Sequence, residues 1–138
     1  MSDVVIDASL ALRWFLDDEA DRNYALSILA SLSKNRAVVP ILWFYEVGNG
    51  LVMAYRRKRI TRDQIQGFLE RVKALPIDAA EYTPAQVLEI PAVAQEHNLT
   101  NYDAAYLGVA IRFGLPLATT DAELRLAADA AGVGVATG

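Results

Sequence analysis

The sequence contains no cysteine and only one histidine, His97, and both shortages narrow its chemistry. Without cysteine, disulfide bonds, thiolate catalysis, iron–sulfur clusters and cysteine-based zinc sites are excluded. A single histidine also excludes zinc sites built from several imidazoles and catalytic triads that depend on histidine. We expect His97 itself to lie at the surface, because it falls at the end of a predicted helix.

Long hydrophobic runs are also missing. The longest uncharged apolar stretch covers the eight residues 38–45 and is interrupted by Pro40, whereas a membrane span needs about 20 residues. No cationic segment precedes the short apolar run 4–6, so the sequence predicts no secretory signal. We therefore expect a soluble, cytoplasmic protein that has no membrane partner.

The composition is that of a folded chain with an acidic balance. The 138 residues are 54% hydrophobic and 22% charged, which predicts one domain over residues 1–138 and excludes intrinsic disorder. The formal net charge of −4 lacks the basic character that is typical of nucleic-acid binders.

Positive charge is nevertheless concentrated in one segment. Five of the thirteen basic residues form a group that we call the basic cluster: Arg56, Arg57, Lys58, Arg59 and Arg62. One interpretation is a solvated helix end, where cations interact favourably with the helix dipole. The other is contact with the phosphates of RNA, which needs only a local patch of charge.

Short apolar runs alternate with longer segments of helical periodicity. The predicted strands cover residues 4–6, 37–39, 75–77, 115–119 and 133–135. The predicted helices cover residues 9–16, 21–33, 41–57, 61–73, 84–97, 103–113 and 121–131. Continuous apolar strands that alternate with helices indicate an α/β fold, with a central parallel sheet inside a three-layer α/β/α arrangement.

Two aspartates directly follow predicted strands. Asp7 follows the run 4–6, and Asp121 follows the run 115–119 after one further residue. Ligands of open parallel sheets bind beyond the carboxyl ends of the strands, so both acids are candidates for a functional site. The alternative is structural, because Asp7 fits a turn, Ser9 fits the cap of the first helix, and Thr120 begins a capping-box pattern.

Glu46 is the only acid in the apolar helix predicted over residues 41–57. Apolar residues surround almost the whole helix, which predicts burial on both sides. Burying an unpaired carboxylate costs several kcal/mol, so Glu46 should be protonated, ion-paired or bound to a cation. Gly48 and Gly50 weaken a helix and indicate close approach of a neighbouring backbone. A structural ion pair remains the alternative.

Asp103 opens another predicted helix, where Thr100 is a suitable cap and an acid in the first turn has a structural explanation. As a set, however, Asp7, Glu46, Asp103 and Asp121 are expected to converge at one end of the sheet. Carboxylates that share a cavity repel each other, and a hard divalent cation relieves that repulsion. All-oxygen ligands suit Mg²⁺ or Mn²⁺, and a water activated by such an ion can attack a phosphodiester.

Four motifs spread over the chain are similar to those of PIN-domain proteins of the VapC toxin family. They read VIDAS (5–9) with WFL (14–16), WFYEV (43–47) after Pro40 and before Asn49, YDAAY (102–106), and LPLATTD (115–121). The resemblance implies a PIN fold and an endoribonuclease that depends on Mg²⁺ or Mn²⁺. It also implies a homodimer that a cognate VapB-type antitoxin inhibits, with a larger complex on operator DNA as a further expectation.

The resemblance also assigns roles to individual residues. Asp7, Glu46, Asp103 and Asp121 match the acidic positions that hold metal and support catalysis. Three polar neighbours match positions that orient the acids, the water or the substrate: Ser9, Asn49 and Thr120. Asn101 departs from the small hydroxyl or alanine that is more common there, and we expect no loss of metal binding from it.

Two other classes of function remain open at this point. A metal-dependent phosphohydrolase or phosphoacceptor on a similar scaffold is weakened by two residues. Ser9 stands where a haloacid-dehalogenase-type phosphatase needs a second aspartate, and no lysine after Lys73 is available for a receiver-like site. The third possibility is a non-catalytic module that binds a partner protein.

Overall fold

Short parallel strands alternate with helices along the chain. The structure is a computed structural model that describes residues 3–16 and 21–138. Its strands are β1 (Val5–Ile6), β2 (Ala37–Val39), β3 (Ile77–Ala79) and β4 (Leu117–Ala118). Its helices are α1 (Ala8–Leu12), α2 (Arg22–Ser31), α3 (Leu42–Arg56), α4 (Arg62–Ala74), α5 (Pro84–Val87), α6 (Ile90–His97), α7 (Asn101–Phe113) and α8 (Ala122–Ala130).

The strands line up in the order β3-β2-β1-β4, and all of their pairings are parallel. A single bridge between Val4 and Ala37 joins the β2–β3 pair to the β1–β4 pair. Within the β1–β4 pair, Ile6 lies opposite Ala118. A further bridge connects β4 to Val135, where the sequence predicts a last strand.

Both faces of this sheet are covered. Val5, Ile6, Leu117 and Ala118 are all fully buried, although successive side chains of a strand point to opposite faces. Helices must therefore lie on each side of the strands. This confirms the predicted α/β class with a central parallel sheet.

Two helices carry much of the core next to the sheet. Helix α3 packs against α1 and α4, and helix α7 packs against β1, β2 and β4. Each contributes one of the largest fully buried side chains, Trp43 from α3 and Tyr106 from α7. Helix α7 ends at Gly114, whose φ of 65° is a left-handed conformation that glycine adopts readily. The predicted helix over residues 103–113 ends at the same residue, although α7 begins two residues earlier, at Asn101.

The start of the first helix differs from the prediction. Asp7, and not Ser9, is the N-cap of α1, and its side chain accepts a hydrogen bond from the Ser9 backbone amide. The helix also ends at Leu12 and continues only as turns. Serine and aspartate are equally good caps, so the sequence pattern alone did not distinguish Ser9 from Asp7.

Proline explains two further differences from the prediction. The third strand starts at Ile77 because Pro76 has no amide hydrogen to donate to a ladder. The helix predicted over 84–97 is broken between Val87 and Ile90. Pro91 lies in the first turn of α6, and within a longer helix its ring would clash with the carbonyl of Val87.

Within the part of the chain that the structure describes, no helix is both long enough and apolar enough to cross a membrane.

Candidate active site

Asp7 is buried where β1 ends, and three donors hold its carboxylate. The Ser9 amide and hydroxyl donate across 3.2 and 2.8 Å, and the Thr119 hydroxyl donates across 2.8 Å. All three donors are neutral, so they fix the orientation of the carboxylate without cancelling its charge. The predicted supporting role of Ser9 therefore has a direct contact behind it.

Thr119 was missed by the sequence reasoning, which selected Thr120. Because Ile6 pairs with Ala118, the residues that directly follow them, Asp7 and Thr119, lie side by side. The Thr119 hydroxyl also accepts a hydrogen bond from the Asp121 amide across 3.1 Å, so it links two of the candidate acids. Only the register between the strands distinguishes the two threonines, and the register is not visible in the sequence.

Asp121 combines a structural role with its place in the site. Its side chain is the N-cap of α8, where Oδ1 accepts hydrogen bonds from the amides of Glu123 (2.9 Å) and Leu124 (3.4 Å). The capping interpretation thus applies to Asp121 itself and not to Thr120. Since both bonds use Oδ1, capping leaves Oδ2 for another ligand.

Glu46 is half-buried, and its partner is a tyrosine. The Tyr106 hydroxyl donates a hydrogen bond of 2.5 Å to Glu46 Oε1. Burial raises the pKa of Tyr106, and the hydrogen bond and charge of Glu46 and the charge of Asp7 raise it further. The phenol therefore stays protonated and serves as a donor. The sequence did not predict this contact, because it crosses between two helices.

Helix α3 is not buried on both sides, contrary to the prediction. Its core face is regular: Trp43, Val47, Leu51 and Ala54 are buried. The opposite side exposes large apolar residues: Phe44, Tyr45, Val52 and Tyr55. The apolar composition all round this helix therefore did not distinguish its core face from its exposed side.

The two glycines of α3 also differ. A methyl group at Gly50 would collide with the Leu12 side chain, whereas one at Gly48 would meet nothing within 4 Å. A neighbouring group therefore lies close to Gly50 and not to Gly48, and the predicted approach of a backbone is wrong at both positions. The approaching group is a side chain of α1 and not a backbone.

Asp103 lies in the first turn of α7, where its amide donates to the Thr100 hydroxyl across 3.1 Å. Burial raises the pKa of the Asp103 carboxyl, and the charges of Asp7, Asp121 and Glu46 raise it further, while Thr100 opposes the shift. Since the charges of the other three acids all act on Asp103, the four predicted acids lie near one another in the folded chain.

The four acids line one cleft of about 530 Å³. Asn49 and Ser9 from the predicted supporting set line it too, and Thr120 does not. The full lining is Asp7, Ala8, Ser9, Leu12, Leu42, Tyr45, Glu46, Asn49, Gly50, Tyr102, Asp103 and Asp121. No lysine, arginine or histidine occurs among these residues, so no basic side chain of this lining neutralises the negative charge of the cleft.

The donor set fits a hard divalent cation, although the acids do not form a closed cage. Among the described residues, no group of three or more acidic, histidine or cysteine side chains is arranged so that it could hold a metal ion. Mg²⁺ commonly keeps several waters and takes one or two carboxylates together with substrate phosphates. An open, carboxylate-lined cleft is compatible with that mode of binding.

The basic cluster lies outside the cleft, at the exposed end of α3. Arg56 follows Asn49 by two helical turns, which corresponds to roughly 10 Å along the same side of the helix. Arg62 donates a hydrogen bond to the Tyr55 hydroxyl across 3.3 Å, and its guanidinium lies 5.8 Å from the centre of that ring. The cluster is thus separate from the acids, although its first member, Arg56, lies on the same helix as Glu46.

The chain is similar to known proteins both in sequence and in structure. The PIN domain profile matches residues 4–130. Ribonuclease VapC3 of Pyrobaculum aerophilum is 36% identical over 85 residues, which cover 58% of this chain. That match spans 62% of the relative, which is less than two thirds of its length.

Among solved structures, PAE2754 from Pyrobaculum aerophilum has a TM-score of 0.66 at 30% identity, over 92% of this chain and 87% of that one. VapBC2 from Rickettsia felis, bound to a DNA fragment from its promoter, has a TM-score of 0.61 at 13% identity, over 96% of both chains. FitAcB from Neisseria gonorrhoeae has a TM-score of 0.61 at 17% identity, over 91% of this chain and 93% of that one. The last two similarities concern the fold alone. From the profile match over nearly its whole length, we conclude that the chain belongs to the PIN-domain family.

Proposed function

We propose that this protein is a metal-dependent endoribonuclease and the toxin component of a VapBC toxin–antitoxin system. The observation that carries the proposal is that Asp7, Glu46, Asp103 and Asp121, from four separate segments, line one cleft without a basic residue. The similarity to a protein named Ribonuclease VapC3 supports RNA as the substrate.

Mg²⁺ or Mn²⁺ is the cofactor that this donor set favours, because both ions prefer oxygen ligands. The four acids are the residues that would hold it. When bound, the ion supplies an activated water and offsets negative charge on the phosphodiester. The chain contributes orientation: Thr119 and Ser9 hold Asp7, and Tyr106 holds Glu46.

RNA carries a phosphate charge that the acidic cleft alone would repel. The basic cluster, which begins on the side of α3 that carries Asn49, offers a place for phosphates upstream or downstream of the cleaved bond. Its charge is exposed, so it attracts phosphates in a salt-dependent way. We assign Arg56, Arg57, Lys58, Arg59 and Arg62 to this contact.

Partners follow from the same assignment. We propose a homodimer, a VapB-type antitoxin that inhibits it, and a larger complex of both on operator DNA. The Rickettsia felis structure is one of VapBC2 bound to promoter DNA, which supports this organisation. The exposed apolar side of α3 supplies surface for a protein partner, since Phe44 and Val52 are open to solvent in the isolated chain.

The test is cleavage of a panel of structured RNAs with Mg²⁺ or Mn²⁺. Asp7→Asn, Glu46→Gln, Asp103→Asn and Asp121→Asn are run beside wild type, with circular dichroism as a check of folding. We expect the folded variants to lose at least about two orders of magnitude in rate, as general-acid, general-base and metal sites do. Wild-type cleavage that all four variants retain would contradict the proposal.

Two controls separate the other classes of function. Hydrolysis of a small phosphomonoester, without cleavage of RNA, would indicate a phosphohydrolase. Unchanged toxicity of the acid variants in cells would indicate a module that acts by binding alone.

A further inference from the structure

The aromatic side chains of this protein fall into two groups. The sequence holds two tryptophans, six tyrosines and four phenylalanines, and all but two of these rings have a partner within the described residues. Phe15 and Phe68 stack with centroids 4.8 Å apart, and arginines lie over the rings of Tyr24, Tyr55 and Tyr82. Internal partners account for the position of such rings.

Tyr45 and Tyr102 are the exceptions. Their exposed fractions are 74% and 63%, and no hydrogen bond, ring contact or cation holds either of them in the part of the chain that is described. Both line the acidic cleft. Each also directly precedes one of its acids, Glu46 or Asp103. Consecutive Cα atoms lie about 3.8 Å apart, so each tyrosine is attached to the backbone directly beside a residue that carries a carboxylate.

A second hollow adjoins the cleft at the same place. It measures about 430 Å³ and shares Leu42 and Tyr102 with the acidic cleft. Pro40, Ile41 and Ala105 are among the apolar residues of its wall. A flat, mostly apolar group that enters beside Tyr102 therefore finds both a ring face and apolar surroundings.

We infer that Tyr45 and Tyr102 stack on nucleobases of the RNA strand that flank the phosphate held at the acids. Every base has a π-face, so aromatic rings bind bases of any sequence by stacking. The bases of a duplex already stack on each other, which restricts such contacts to unpaired nucleotides. The inference rests on the proposed ribonuclease function and assigns the two rings a role in selecting unpaired RNA.

The test measures binding of a short single-stranded RNA that carries 2-aminopurine, whose fluorescence falls when it stacks. Stopped-flow mixing with wild type and Mg²⁺ records binding before cleavage. We expect Tyr45→Ala and Tyr102→Ala each to weaken binding roughly tenfold and to reduce the quench. Tyr45→Phe and Tyr102→Phe should restore both, because the ring face is retained.

Phe113→Ala is the matched control, because Phe113 is an exposed ring at the opposite end of α7 from Tyr102. It should change neither affinity nor quench. The same RNA annealed to its complement should bind equally well to wild type and to both alanine variants.

Two outcomes would overturn the inference. One is unchanged affinity and quench in both alanine variants. The other is loss of binding to the antitoxin in these variants while RNA binding persists, which would assign the rings to the protein partner. Cleavage of the same RNA is read separately. If wild type cleaves the RNA and the alanine variants bind it normally, only this inference is contradicted. If binding quenches the fluorescence but no cleavage follows, only the ribonuclease assignment is contradicted.

Discussion

The hydroxyl of Tyr106 donates a hydrogen bond to the Glu46 carboxylate across 2.5 Å and thereby connects the two helices that carry much of the acidic cleft. Tyr106 is almost fully buried in α7, while Glu46 projects from α3 into the cleft. A buried ring has little freedom to move, so it holds the glutamate in one place. Tyr106 is thus a positioning residue.

Replacing Tyr106 by phenylalanine removes this hydrogen bond and keeps the packed ring. Hydrogen bonds to charged groups contribute about 1.5–3 kcal/mol, so we expect a roughly tenfold to hundredfold fall in RNA cleavage. The measurement is the rate as a function of Mn²⁺ concentration, together with the melting temperature. A purely structural role would lower the melting temperature and leave the Mn²⁺ dependence unchanged.

Thr119→Val should impair the site more than Thr120→Val. The first substitution removes the donor to buried Asp7 and the acceptor of the Asp121 amide, and leaving buried polar groups unsatisfied costs about 1–3 kcal/mol. Urea denaturation and cleavage rates of the two variants measure the difference. Equal effects of the two substitutions on stability and cleavage rate would show that the hydrogen bond to Asp7 makes no specific contribution to either.

The raised pKa of Asp103 predicts a pH-dependent effect of Asp103→Asn on stability without metal. Since the folded-state pKa lies above the unfolded value, the protonated carboxyl favours the fold at low pH, and that contribution disappears as the pH rises through the folded pKa. In EDTA, the asparagine variant should therefore melt higher than wild type at neutral pH, and this gain should shrink towards acidic pH. Thermal melts across that range check the sign. A gain that stays constant with pH would contradict the electrostatic explanation.

The two glycines of α3 offer a matched pair for stability. Gly48→Ala should stabilise the protein by about 0.5–1 kcal/mol, because alanine is the better helix former and meets open space there. Gly50→Ala should fall short of that gain by about 1–3 kcal/mol, since the new methyl group must displace the Leu12 side chain. Denaturant midpoints measure both, and Leu12→Ala should relieve the cost at Gly50 if the collision is its cause.

Charge reversal of Arg56, Arg57 and Arg59 tests the basic cluster. If these residues contact phosphates, RNA binding should weaken, and the logarithm of affinity should depend less steeply on the logarithm of salt concentration. Equilibrium binding between low and high salt gives both slopes. An unchanged slope would return the cluster to the interpretation of a solvated helix end.

Local patterns predicted most elements of the fold. The helix predicted over residues 61–73, the helix end at residue 113 and the strand 37–39 all appear within one residue of the prediction, because each depends on neighbouring residues alone. The errors have local causes as well. Pro76 and Pro91 each displaced a boundary, since proline removes a donor and clashes with the preceding helical turn.

The sequence by itself determined the parallel α/β class, the acids at the ends of β1 and β4, and the absence of cysteine and multi-histidine chemistry. Only the tertiary structure decided that Thr119 supports Asp7, that Tyr106 holds Glu46, and that one side of α3 is open. The physical reason is the range of the interactions. Capping and periodicity act between near neighbours in the chain, whereas strand register and helix packing bring together residues that are 60 and 112 positions apart.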